Sequence, residues 1–178
     1  MFVDVDKIDL LKFKGCKDCV ECCKKPFAPL ILDDFEKVYK NFAIVFVDIV
    51  YIRPVMVIGK SGICKYVKDG KCSIYDARPP ACRIYPFSPF FDKLYLDVSC
   101  KGVGIEGKFL PMNFREFQNS EFFDKRFINF ENKLLKTNIW LENKKFKKAG
   151  EIRGFEYFVL EEIKDEFDKM HFESLKNL

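Results

Sequence analysis

The chain has a single histidine, His171, in 178 residues. That scarcity sets the first limit. A metal site built from several side chains cannot be histidine-rich here and must draw on sulfur. A lone histidine near the C-terminal end reads as a surface residue. Long apolar runs are also lacking. The longest, "AIVFVDIVYI" from Ala43 to Ile52, contains Asp48 and stops at Arg53 and Pro54, far short of a spanning helix. The opening "MFVDVDKIDL" places Asp4, Asp6 and Lys7 where a secretory signal needs an unbroken apolar stretch. The expectation is a cytoplasmic protein with no membrane partner and with reduced thiols. Charge imbalance is slight: 31 Lys+Arg against 27 Asp+Glu leave +4, too little to argue for nucleic acid. Internal repeats and low-complexity tracts are absent. So are a nucleophile triad, an acid/base pair and a strand–GxGxxG–helix nucleotide loop. The glycine-rich "KGVGIEGK" at residues 101–108 reads instead as a flexible connection. Cysteine is missing from residues 101 to 178, and that change of composition marks a boundary: residues 1–104 form a cysteine-bearing region and 105–178 a helical extension packed on it.

What is present is sulfur and phenylalanine. Eight cysteines stand at Cys16, Cys19, Cys22, Cys23, Cys64, Cys72, Cys82 and Cys100, and 21 phenylalanines promise a core of large flat side chains. The first four cysteines lie in "CKDCVECCKKP", a loop framed by Gly15 and Pro26. After it, Asp33 as cap with Glu36 three residues on predicts a short helix over about 34–42. Residues 43–58 read as strand interrupted near Pro54. In "CKYVKDGKCSIY", Asp69-Gly70 signals a hairpin. A two-residue loop puts 67 opposite 72 and turns Cys64 and Cys72 to opposite faces; a three-residue loop with a bulge puts them on one face. The proline-rich "DARPPACRIYPF" allows a single turn, begun by Pro80 and carrying Cys82 and Arg83. "KLYLDVSC" alternates as a half-buried strand ending in Cys100. Beyond it, Ser120 is placed to cap a long helix with Phe123, Phe127, Phe130, Leu134 and Leu141 on its core side, stopped by Gly150. A second helix over about 155–173 carries Phe155, Val159, Ile163, Phe167 and Met170, although its opening "FEYFVL" also reads as strand. The runs "ENKKFKKAGEIR" and "EEIKDEFD" read as solvated helix faces.

Disulfides fit poorly with a reducing compartment, and packing as small hydrophobes does not account for four cysteines in a lysine-rich loop. Metal ligation does, because C-x-x-C spacing lets neighbouring thiolates converge on one centre. Cys16, Cys19 and Cys22 step by three and can turn inward together. Cys23, adjacent to Cys22, points elsewhere, so the pair reads as the divergence between two centres or as a bridge. Zinc accepts four thiolates. The run C-x2-C-x2-C followed by Pro26 also resembles ferredoxin-type ligation, with the fourth cysteine supplied from a distance. An iron–sulfur cluster is the preferred cofactor and zinc the alternative. Either centre carries excess negative charge, which Lys17, Lys24, Lys25, Arg78 and Arg83 lie near enough in sequence to offset; the proline-pinned Arg78 and Arg83 are favoured.

Together, "FKGCKDCVECC", "GICKYVKDGKCSIYDARPPACRIYPF" and "SCKGVG" resemble the YkgJ-like cysteine-cluster family, described as zinc- or iron-chelating proteins. The matching positions are the eight cysteines with Gly70, Ile74, Tyr75, Arg78, Pro79, Arg83, Tyr85, Pro86, Phe87 and Gly102, over roughly residues 13 to 104. The resemblance implies metal binding through these cysteines. A related cluster in flagellin lysine N-methylases implies a methyltransferase or its accessory as a second reading; a zinc-stapled module binding protein or RNA is a third. The fold expected is a small α+β one: an irregular, metal-organised N-terminal half with short strands and a hairpin, covered by C-terminal helices.

Overall fold

A computed structural model describes residues 2–4, 10–15, 19–90, 93–111 and 113–178. The fold is a small α+β one, with short strands in small sheets and short helices. The strands are β1 Phe2–Asp4, β2 Lys12–Phe13, β3 Phe27–Pro29, β4 Ile44–Asp48, β5 Ile52–Val57, β6 Val67–Lys68, β7 Lys71–Cys72, β8 Phe87–Phe90, β9 Lys93–Asp97, β10 Val103–Gly104, β11 Lys108–Phe109, β12 Phe146–Ile152 and β13 Phe155–Leu160. The helices are α1 Phe35–Val38, α2 Pro80–Arg83, α3 Phe114–Gln118, α4 Phe130–Glu142 and α5 Glu166–Ser174. The chain forms two compact units, Met1–Cys22 with Tyr66–Phe130, and Cys23–Lys65 with Glu131–Leu178. No helix among the described residues is long and apolar enough to cross a membrane.

The second unit is built on an antiparallel sheet in the order β12-β13-β4-β5-β3. Strand β4 is buried on both faces, which is why its sequence reads as an unbroken apolar run. Val45 and Val47 join Ala43, Val55, Val57 and Ile152 on one side. The alternate residue Phe46 meets Trp140, Phe146 and His171 on the other. Asp48, an oddity in that run, is the exposed last residue of β4, paired with Ile52 across the turn. Pro54 sits inside β5 without breaking it. Its carbonyl faces β3 and accepts the Leu30 N–H at 3.0 Å. Its proton-less nitrogen therefore points past the end of β3 rather than into the β4 ladder. The helix expected over 34–42 is shorter, and its cap differs: Asp34, not Asp33, is buried and accepts the Ile31 N–H at 3.1 Å.

The C-terminal half departs most from expectation. Where a helix was expected to run on to Gly150, residues 146–160 form the β12–β13 hairpin. Its turn residues Arg153 and Gly154 both have positive φ (53° and 85°), as a two-residue hairpin loop requires. "FEYFVL" is thus strand, and α5 starts only at Glu166, capped by Asp165. The proposed helical stripe fails with it: Phe155 is 53% and Ile163 52% exposed. The long helix after Ser120 is divided as well. Ser120 donates to the Phe117 carbonyl at the end of α3, Asp124 caps a short 3-10 turn, and Asn129 at φ 53° precedes α4. The phenylalanines still form a core: Phe117 packs on Phe123 and Phe127, and Phe127 on Phe130.

In the first unit, β1-β9-β8 and β10-β2-β11 are small antiparallel sheets, and β6–β7 is a two-stranded hairpin. The glycine-rich 101–108 segment is not a flexible connection. It supplies β10 and β11, one on each side of β2. The glycines permit close approach. A Cβ on Gly102 would come within 2.6 Å of the Phe13 ring; one on Gly107, at φ +100°, would come within 2.3 Å of the Phe13 carbonyl oxygen.

Candidate metal centre

Seven of the cysteines, Cys19, Cys22, Cys23, Cys64, Cys72, Cys82 and Cys100, lie among the described residues; Cys16, and with it Lys17, lies outside them. In the first unit Cys19 precedes a 3-10 turn, Glu21–Lys24, which carries Cys22. Cys72 ends β7 opposite Val67, in the register of a two-residue loop. Asp69 and Gly70, both at positive φ, make that turn. Cys82 rides on α2, the single turn that Pro80 begins, with its N–H on the Pro79 carbonyl at 2.9 Å. Cys23 and Cys64 belong to the second unit. Cys64 lies outside the β6–β7 ladder, so hairpin register does not orient it. Its backbone N–H donates instead to the Cys23 carbonyl at 2.8 Å.

Cys100 has the most developed surroundings. Its N–H closes a turn on the Asp97 carbonyl at 3.1 Å, and its own carbonyl accepts the Val103 N–H at 2.9 Å. The sulfur is buried. Burial pushes the thiol up from its usual range; hydrogen bonds from the Gly102 N–H, the Tyr85 hydroxyl and the Val103 N–H pull the other way, and Cys19 adds a smaller upward push. The Tyr85 hydroxyl is itself driven far up, first by burial, then by the charges of Asp97 and Cys100, its bond to Asp97, and Cys22. Cys19, Cys22 and Cys100 therefore share one electrostatic neighbourhood with Tyr85 and Asp97. Among the described residues no three His, Cys, Asp or Glu side chains stand together closely enough to hold a metal ion. The chemistry at Cys100 nevertheless suits one. A neutral thiol is only a weak acceptor, whereas a metal-bound thiolate takes several donors, and such bonds tune it.

The two arginines expected to offset the charge of a centre have defined contacts. Arg78 donates through Nε to the Tyr75 carbonyl at 2.7 Å and lays its guanidinium over the Tyr75 ring at 3.7 Å. Arg83 donates to Asp124 at 3.3 Å and to the Arg78 carbonyl at 3.5 Å. They brace the proline-rich segment that carries Cys82. Asp97 escaped the sequence reading. Its signal was local: in "DVSC" an aspartate two residues before a serine can accept that serine's N–H, as Asp97 does from Ser99 at 3.0 Å.

Two further expectations are corrected in the second unit. His171 is not at the surface but fully buried. Its Nδ1–H donates to the Ile44 carbonyl at 2.9 Å, and its Nε2 accepts the Leu160 N–H at 3.2 Å, so both ring nitrogens serve strand backbone. The facing groups dictate this neutral tautomer, and burial lowers the imidazole to about 4. Nor are the basic and acidic runs wholly solvated. Lys144 is almost covered and contacts Asp165 at 2.6 Å and the fully buried Asp168 at 2.7 Å. Burial opposes its charge, but the hydrogen bonds to both carboxylates outweigh that and raise it. The indole N–H of Trp140 joins them on Asp165 at 2.9 Å. The tie locks α4 to the start of α5 and is structural.

Neither a curated protein nor a solved structure matches the chain. Residues 15–102, from the glycine before the first cysteine to the glycine two residues after the last, are similar to the family model CxxCxxCC, described as "Putative zinc- or iron-chelating domain".

Proposed function

We propose that Cys16, Cys19, Cys22, Cys23, Cys64, Cys72, Cys82 and Cys100 hold one or two metal centres, iron–sulfur in preference to zinc. The metal-binding region is residues 1–104, and residues 105–178 complete both compact units. The observation that carries the reading is the match of residues 15–102, which span all eight cysteines, to a zinc- or iron-chelating family model. Eight thiols at that spacing suit metal ligation better than packing as small hydrophobes. The preference for iron rests on the C-x2-C-x2-C spacing with Pro26. A bound cluster supplies one-electron redox chemistry; zinc supplies a structural staple. Arg78 and Arg83 offset part of the negative charge of the thiolates while bracing the Cys82 turn.

Anaerobic purification followed by absorbance, metal and sulfide analysis tests this. Iron with acid-labile sulfide in a brown protein is the expected result. Stoichiometric zinc in a colourless protein overturns the cluster and favours a zinc-stapled interaction module. A metal-free protein that folds and is indifferent to chelators overturns both. Binding of S-adenosylmethionine by the loaded protein would move the reading towards a methyltransferase.

A further inference from the structure

Helix α4 faces the core of its unit with Thr137, which is 1% exposed, and with Trp140, which packs on Phe35, Phe46 and Phe167. Its opposite side is not the polar surface that such a helix usually turns to solvent. Leu135 and Ile139, one turn apart, run down the middle of that side and are 56% and 51% exposed. Exposed charges flank them, Glu131 on one side and Lys136 on the other. Next to Lys136 and Ile139 lies a groove of about 410 Å³ whose apolar lining is Leu32, Ile139, Trp140 and Phe167. Written as a heptad, Asn132 and Ile139 fall at the first position of a helix–helix seam and Leu135 at the second. Glu131 and Lys136 fall at the two positions that border such a seam. Glu142, the last helical residue, ends the apolar stretch.

We propose that this face of α4 pairs with the same face of a second copy of the chain, the two helices running parallel about a two-fold axis. Asn132, Leu135 and Ile139 then each meet their own counterpart. Charge decides the direction. In an antiparallel pair equivalent flanks face one another, so Lys136 meets lysine and Glu131 meets glutamate. In a parallel pair opposite flanks meet. Glu131 of each copy then reaches Lys136 of the other, five residues further on, and the two-fold makes this pair twice. Both charges are available for it. Glu131 has no ion-pair partner among the described residues. Lys136 contacts Asp33 only at 4.0 Å, and Lys133 also reaches that aspartate at 3.9 Å. Asn132 on the seam favours two helices in register, because its amide bonds to its counterpart. A seam of fewer than two heptads beside one groove makes a small interface, so the association is weak and concentration-dependent.

Sedimentation equilibrium of the full chain, purified anaerobically and kept in a thiol reductant, tests this from low to high micromolar concentration. A reversible monomer–dimer equilibrium is expected in the parent, and Leu135→Asp should remove it. Glu131→Lys and Lys136→Glu should each weaken the dimer about 10-fold, by turning two attractions into two repulsions. The two reversals combined in one chain should restore it to near the parent value. A parent that stays monomeric throughout overturns the proposal and leaves the face to a different partner. A dimer that survives Leu135→Asp overturns it, because the seam is then elsewhere. A dimer indifferent to both charge reversals also overturns it, because the helices are then not paired in parallel. If Leu135→Asp does not fold, the two charge variants decide, since both positions lie in solvent.

Discussion

Replacing His171 by glutamine separates one buried titration from every other acid-sensitive feature of the chain. The histidine is held neutral by the Ile44 carbonyl and the Leu160 N–H and lies against the rings of Phe46 and Phe172. The charged group acting on it is Asp168, which is itself paired with Lys144. Its folded value is about 4 against 6.5 for the free side chain. Because the folded value is depressed, the unfolded chain binds the proton first as pH falls. The stability this histidine supports is therefore complete above about 6.5 and lost progressively down to about 4. Each pH unit inside that window is worth about 1.4 kcal/mol, so the full loss is about 3 kcal/mol, and about 2 kcal/mol has gone by pH 5. Glutamine offers a donor and an acceptor but does not titrate. Its own cost at neutral pH, about 1–3 kcal/mol for imperfect bonds to the two strands, is constant with pH. Urea unfolding of both proteins from pH 7 to 4.5 gives the difference directly, and acid effects at the thiolates cancel in it. The parent's advantage should shrink on acidification at close to one proton's slope. A difference that stays flat from pH 6.5 to 4.5 would refute the assignment of a buried neutral imidazole.

Other perturbations follow from named contacts. Lys144→Met leaves the fully buried Asp168 without its cation and should cost about 3–5 kcal/mol, read by urea or thermal unfolding. Gly107→Ala forces a side chain into a positive-φ position against the Phe13 carbonyl; a loss of about 1–3 kcal/mol is expected in the melting curve. Cys19→Ser should lower both the metal content and the melting temperature, measured on the same anaerobic preparation; a variant that retained both would remove Cys19 from the ligands. Treatment with a strong chelator should lower the melting temperature of the parent protein and leave that of metal-free Cys19→Ser unchanged.

Some of these features were legible in the residues because their causes are local. Asp69-Gly70 makes its two-residue turn since both positions tolerate positive φ. Pro80 opens the turn that carries Cys82, having no N–H for a helix start to satisfy. The spaced cysteines announced a metal-chelating domain, and residues 15–102 match one. Other features depend on neighbours far along the chain. Whether "FEYFVL" becomes helix or strand turns on Phe158 pairing with Phe46, more than a hundred residues away. His171 is buried because two strand edges offer it a carbonyl and an N–H, which helical periodicity does not reveal. The glycines of 101–108 looked like flexibility because no sequence rule shows that Phe13 will fill the space beside them.

By itself the sequence showed eight cysteines spaced as in a metal-chelating domain, short turns in stated places and a phenylalanine core. The tertiary structure decided which groups surround each cysteine. Asp97 accepts the Cys100 N–H on its carbonyl and the Tyr85 hydroxyl on its carboxylate, while the Cys64 N–H donates to the Cys23 carbonyl. Residue type states what a side chain can bond, but hydrogen bonds form over about 3 Å, and only the folded backbone brings distant residues that close.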